Sequence, residues 1–215
     1  MQRVNNRSAC FYTDDDYLCY LDWLKEYSEI SHCQIHSYVL MTNHVHLLLT
    51  PESKASVGNL MRRLGQRYVQ YINRTYKRSG TLWEGRFKSC ITNEEDYVLG
   101  CYRYIELNPV RADMVSHPAE YRWSSYRANA QGESNELIVP QYLYSRLGTD
   151  ASARMRRYRE LFRHHIDPGL VGDIRQATNG NYALGSERFK DEIELAVGRR
   201  VRRGVSGRPK KKVED

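Results

Sequence analysis

No stretch of this 215-residue chain approaches the roughly 20 consecutive apolar residues of a membrane span. The N-terminus lacks the charged-then-apolar layout of a signal peptide. The five cysteines (Cys10, Cys19, Cys33, Cys90, Cys101) are an odd number, widely spaced, with no CxxC pair. That pattern argues against a disulfide framework and a cysteine-based zinc site, and for reduced thiols in a cytosolic protein. Phe and Trp are scarce, at 4 and 3, while Tyr reaches 17. Its flat face and hydroxyl suit nucleic-acid contact and, equally, an amphipathic core. Acids are outnumbered, and the formal charge of +7 favours a polyanionic partner. The length allows one sizeable domain with a smaller appendage.

What is present is organised around residues 38–50, YVLMTNHVHLLLT. Two apolar runs flank a turn at Thr42-Asn43, and His44 and His46 open the second. Residues two apart in a strand share a face, so both imidazoles project together. Neutral imidazole is a common transition-metal ligand, so the pair forms half of a metal site. Spacing alone leaves an alternative, two polar side chains on a half-solvated strand.

Acids at Asp14-Asp15-Asp16 open a helix that reaches about Ile30, with Tyr17, Tyr20, Leu21, Leu24 and Tyr27 on one face. Strands follow over 32–41 and 44–50, then a loop and a long helix over 57–76. Its stripe is Val57, Leu60, Met61, Leu64, Tyr68, Tyr71 and Ile72. Arg62, Arg63 and Arg67 lie between, with no acidic partner on that helix, and suit either solvent or phosphate. Residues 82–92 read as a turn into another strand, along which Arg86 and Lys88 alternate and suit either phosphate or solvent. A third helix begins at Asn93 and runs to Asn108, where Pro109 disfavours further helix. Tyr104 and Asn108 stack on one face of it. Laid over the histidine strand, that face offers an oxygen ligand and a phenol; otherwise Tyr104 packs and Asn108 caps. Tyr102 points elsewhere, Glu106 could bind a metal but reads more readily as an exposed helix glutamate, and adjacent His164 and His165 diverge.

The order helix, strand, strand, helix, strand, helix is a split βαβ pattern short of its first strand. Residues 1–127 form this domain, and 128–139 are polar and read as a linker. Residues 140–197 are helical, with segments 170–177 and 186–197 compatible with a helix-turn-helix. The tail, 198–215, holds Arg199, Arg200, Arg202, Arg203, Arg208 and Lys210-Lys211-Lys212, with no acid before residue 214. It is expected to be disordered when free and suited to nucleic-acid backbone contact.

The runs SYVLMTNHVHLLLTP, LWEGRFKS and YRYIELNPVRADMV resemble the REP-associated tyrosine transposases, single-tyrosine HUH transposases of bacterial insertion elements. The resemblance covers roughly residues 2–127, with three motifs in the family's order and spacing. It implies an α+β, ferredoxin-like (RRM-like) antiparallel sheet with helices on one face, followed by the helical C-terminal region. His44 and His46 match the HUH histidines, Tyr104 the nucleophile, and Asn108 the polar residue that joins the metal.

The implied reaction is cleavage of single-stranded DNA with Mg²⁺ or Mn²⁺, through a 5′-phosphotyrosine that a 3′-hydroxyl later resolves. The implied targets are hairpin-forming repetitive extragenic palindromes, and the implied location is bacterial cytoplasm, with the nucleoid. Monomer and homodimer both remain open. Two departures stand out. The chain opens Met1-Gln-Arg-Val-Asn-Asn-Arg, with Val4 where a glycine is common, so most of the first strand is expected to be missing. The C-terminal extension exceeds the minimal transposases. The competing reading is a non-catalytic single-stranded DNA or RNA binder on the same scaffold.

Overall fold

A computed structural model describes residues 1–204, and its centre is the hairpin of β2 (Cys33–Met41) and β3 (His44–Pro51). The antiparallel register sets Val39 opposite His46 and Met41 opposite His44, with a bulge between Ile35 and Ser37. On the other side of β3 lies β1 (Gln2–Arg3), pairing Gln2 with Val45 and Arg3 with His44. The strand order is β1-β3-β2. The first strand is therefore present beside the histidine strand, but only two residues long.

The strand expected over 82–92 does not form, although its place is filled. Glu84 N–H donates to Arg3 O, Asn5 N–H to Leu82 O, and Lys88 N–H to Met1 O. Four residues separate Glu84 from Lys88 while two separate Arg3 from Met1, so the chain bulges at Gly85-Arg86 and breaks the ladder. A single bridge, Val4 with Trp83, remains. The outer edge of β2 is covered as well. Leu40 N–H donates to Trp123 O, Ser125 N–H to Tyr38 O, and Val139 N–H to Ile35 O. Residues 123–139 thus shield an edge that would otherwise present unpaired backbone groups. The stretch that composition reads as a loop holds a π-helical turn, Arg127–Gln131, with Asn129 and Ala130 buried.

Helices cover both faces of the sheet. α1 (Asp14–Ile30) and α2 (Ser56–Thr75) pack together. Buried Asp16 staples them: its carboxylate accepts from the Tyr12 and Thr13 N–H groups and from the Tyr71 and Tyr76 hydroxyls at 2.9 and 2.7 Å. Gly65 of α2 lies over Gln2, which faces the same way as Val45. α3 (Glu95–Glu106) lies on the opposite face, reaching His46 and Ser37. The expectation of helices on one face is thereby corrected. Tyr38, Leu40 and Val45 on one side and Val39 and Met41 on the other are all buried, so each side needs a cover.

At Pro109 the chain does not leave the helical path. It breaks at Leu107 and resumes as α4 (Asn108–Arg111), with proline at the start, where its missing N–H costs nothing. Beyond come α5 (Tyr142–Ser145), α6 (Ala151–Glu160), α7 (Pro168–Gly180) and α8 (Glu187–Val197). α5 and α7 pack on α3, and Gly100 permits the second approach. A Cβ there would stand 2.7 Å from a methyl of Leu170. Among the described residues no helix is long and apolar enough to cross a membrane.

Candidate active site

The alternation of β3 places His44 and His46 on the α3 side, their ring centroids 5.2 Å apart and nearly perpendicular. His44 Nδ1 lies 2.6 Å from Asn43 Oδ1. An amide oxygen only accepts, so Nδ1 carries the proton and Nε2 keeps its lone pair. Burial pushes the His44 pKa down to about 4, helped by Arg3, the terminal amino group and Arg111. Burial also holds His46 well below its ordinary value, with the terminal amino group, His44, Arg111 and Arg3 adding to the effect. Both imidazoles are therefore neutral near pH 7, the state in which they bind metals.

Tyr104 comes down from α3 onto this pair, its ring centroid 5.4 Å from that of His46. Behind it stands Arg111 of α4. The guanidinium carbon sits 4.1 Å from the Tyr104 ring centroid, and Nη2 donates to Tyr104 O at 3.1 Å. Arg111 Nε and Nη1 are buried without a protein partner, so its charge is not neutralised by an acid. Asn108 starts α4, which packs on β2; it is nearly buried, and its Nδ2 has no protein partner. Tyr102 is fully buried and stacks on Tyr144, away from the histidines.

Glu106 was expected to be exposed, and the structure overturns this. It is wholly buried, and none of its hydrogen-bond partners is His44 or His46. Oε1 accepts from Ser37, Ser125 and Asn129 at 3.2, 2.6 and 2.8 Å, and Oε2 from the Tyr158 hydroxyl at 2.6 Å. Those donors lie on β2, on the 123–139 segment and on α6. A single glutamate therefore fixes the helix carrying Tyr104 to three other parts of the chain. Nothing local in the sequence marks it, because the nearest donor is 19 residues away.

The histidines, Tyr104 and Asn108 can be tested as a cation site. No group of three His, Cys, Asp or Glu side chains able to hold a metal occurs among the described residues. The available donors are two neutral imidazoles and the Asn108 amide oxygen, a set that suits a borderline divalent ion such as Mn²⁺ with its remaining positions open. The unpartnered atom of Asn108 is its amide nitrogen, a donor suited to an anion, so the fit to a cation rests on the chemistry of the donor set alone. The residues fit the group.

The basic residues divide. Arg62 and Arg63 are exposed on α2. Arg67, expected to lack an acidic partner, pairs with Glu26 of α1 at 2.7 Å and lies over Trp23. Exposed Arg86 and half-buried Lys88 line a cavity of about 240 Å³ together with Arg3 and Glu84. Arg199 and Arg200 donate to the backbone oxygens of Asn181 and Arg203, and Arg203 is itself exposed. Arg202 clamps α8 through Glu187 and Glu194, at 2.8 and 3.1 Å, and through Asp191. Lys210, Lys211 and Lys212 lie outside the described residues. The helices expected around residue 180 form, but the second carries Glu187, Asp191, Glu192 and Glu194, a charge unsuited to lying against phosphate.

The search among curated proteins finds no match. One solved chain, "Structure of the REP associates tyrosine transposase bound to a REP hairpin", is 15% identical with a TM-score of 0.47. The alignment covers 66% of this chain and 83% of that one. The family model described as "Transposase IS200 like" matches residues 1–108, a span that holds β1, the histidine strand, Tyr104 and Asn108. This chain belongs to the IS200-like transposase family.

Proposed function

We propose that this chain cuts and rejoins single-stranded DNA with Tyr104 as the nucleophile and hairpin-forming DNA as its target. The observation that carries the reading is the meeting of residues 46 and 104 on one sheet face, ring centroids 5.4 Å apart, with the unneutralised Arg111 against the tyrosine. The Tyr104 phenol gives its proton to solvent and its oxygen forms a bond to the scissile phosphorus. The bond from phosphorus to the 3′ oxygen breaks, its electron pair leaves with that oxygen, and solvent returns a proton to it. The 5′ phosphate stays on Tyr104 until a 3′-hydroxyl attacks by the reverse path, so the phosphodiester energy is kept. His44, His46 and Asn108 are the residues that would hold Mg²⁺ or Mn²⁺. When bound, such an ion polarises the phosphate and offsets charge developing in the transition state. Arg111 packs one face of the Tyr104 ring and fixes its backbone carbonyl, which orients the phenol towards His46.

The test is a covalent adduct. Purified protein mixed with labelled hairpin DNA and Mn²⁺ is expected to yield a protein–DNA band that survives denaturing electrophoresis. EDTA removes it, and so does Tyr104→Phe. Salt-sensitive binding without an adduct would point instead to a non-catalytic binder on this scaffold.

A further inference from the structure

α6 and the turn after it hold Arg154, Arg156, Arg157, Arg159 and Arg163 against one acid, Glu160. None of the five takes part in an ion pair among the described residues, in contrast to Arg67, Arg122 and Arg202, which do. The rotation of the helix is fixed by Tyr158, which is fully buried and hydrogen-bonded to Glu106. At about 100° per residue, Arg156 faces almost directly away from Tyr158. Arg156 and Arg163 are exposed. Arg157 and Arg159 flank them, each tethered by one Nη1 donation, to Leu147 O and Ala130 O, so their remaining donors face outward. Arg154 instead turns inward over Tyr144.

We propose that this arginine face of α6 docks the phosphate backbone of a DNA duplex stem. The inference rests on the DNA-processing reading above. Guanidinium groups with several free donors match phosphate oxygens. A duplex fits better than a single strand because stacking platforms for unpaired bases need exposed rings. The one aromatic residue within α6, Tyr158, is buried. The location follows from the same tyrosine: its hydroxyl holds α6 to Glu106, two residues from both Tyr104 and Asn108. A stem held on α6 is thus anchored to the helix that carries the nucleophile.

Binding is measured without chemistry, in EDTA and on a Tyr104→Phe background, by fluorescence anisotropy of a labelled DNA hairpin and of an unstructured strand of equal length. The pair Arg156→Gln and Arg163→Gln is compared with Arg188→Gln and Lys190→Gln on α8, which removes equal charge elsewhere. The plot of log affinity against log salt for the hairpin is expected to flatten by about two units in the α6 variant, near 0.9 for each lost phosphate contact. The α8 variant keeps the original slope, and binding of the unstructured strand changes less. An unchanged slope, an equal change in the α8 variant, or a loss confined to the unstructured strand overturns the proposal. If the unsubstituted protein forms the adduct while the α6 variant keeps its slope, only this docking surface fails. If hairpin DNA is not bound at all, the DNA-processing reading falls with it.

Discussion

Removing one oxygen from Tyr158 isolates the energetic weight of the Glu106 cluster. Tyr158→Phe keeps the ring against Tyr102 and Tyr144 but deletes the donor 2.6 Å from Glu106 Oε2. A hydrogen bond to a charged group contributes about 1.5–3 kcal/mol. At about 2–4 °C per kcal/mol for a chain of this size, melting is expected to fall by roughly 3–12 °C. Glu106→Ala goes further and costs about 3–5 kcal/mol, since a buried network is opened and the Tyr158 hydroxyl is left without an acceptor. Glu106→Gln keeps an acceptor for Ser125 and Asn129 and offers an amide to Tyr158, so it is expected to lie between the native protein and the alanine variant. Its pH dependence has a defined sign. Burial raises the Glu106 pKa more than its four hydrogen bonds lower it. The folded value therefore exceeds the unfolded one, and stability from this group is full at acid pH and lost as pH rises through the folded value. The gap between native protein and Glu106→Gln should narrow as pH rises. Urea unfolding at several pH values measures all three variants, and a Tyr158→Phe protein within about 0.5 kcal/mol of native would refute the argument.

His36, His44 and His46 all have pKa values held down by burial, so unfolding takes up protons below about pH 6.5. Their stabilisation is present above that pH and is lost as pH falls, by up to about 1.4 kcal/mol per pH unit for each; a urea midpoint unchanged between pH 7 and 5 would contradict this. Gly100→Val drives a side chain into Leu170 and is expected to cost about 1–3 kcal/mol, with Leu170→Ala restoring part. Strict additivity in that double-mutant cycle would show that the two helices do not meet as described. Mn²⁺ binding, followed by electron paramagnetic resonance, is expected to tighten at least about tenfold when single-stranded DNA is added to Tyr104→Phe protein. Equal affinity with and without DNA would sink the idea that phosphate completes the donor set.

Much of the first half was legible because its signals are local. Acids at 14–16 and the tyrosine-leucine stripe place α1, and alternation through the His44–His46 run places β3 with both rings on one side. The four-residue step from Tyr104 to Asn108 put both on one turn of the chain, although the break at Leu107 moves Asn108 into a new helix. What was not legible depends on distant partners. Arg67 looked unpaired until α1 brought Glu26 beside it, and Glu106 looked exposed until Ser37, Ser125, Asn129 and Tyr158 converged on it. The strand over 82–92 failed for a register reason: its apolar and basic alternation is real, but two extra residues at Gly85-Arg86 prevent a continuous ladder with β1. Arg111 was overlooked because a lone arginine past a helix end carries no signal of its own.

The charge layout gives the proposed chemistry its direction. Two neutral imidazoles and one amide bring no negative charge to a cation, and Arg3 and Arg111 repel it. Glu106, the carboxylate nearest in sequence to Tyr104 and Asn108, is bound by four donors in the core. The same layout attracts phosphate, so a nucleic-acid strand would be favoured here before any cation and would supply the charge that then makes the cation welcome. A site built this way would hold a cation only weakly without a strand. On the proposed chemistry, cation binding would then depend on the presence of a strand. Glu106 fits that proposal through what it does not do: kept in the core, it would bring no charge to a cation, and its hydrogen bonds hold the Tyr104 helix in place instead.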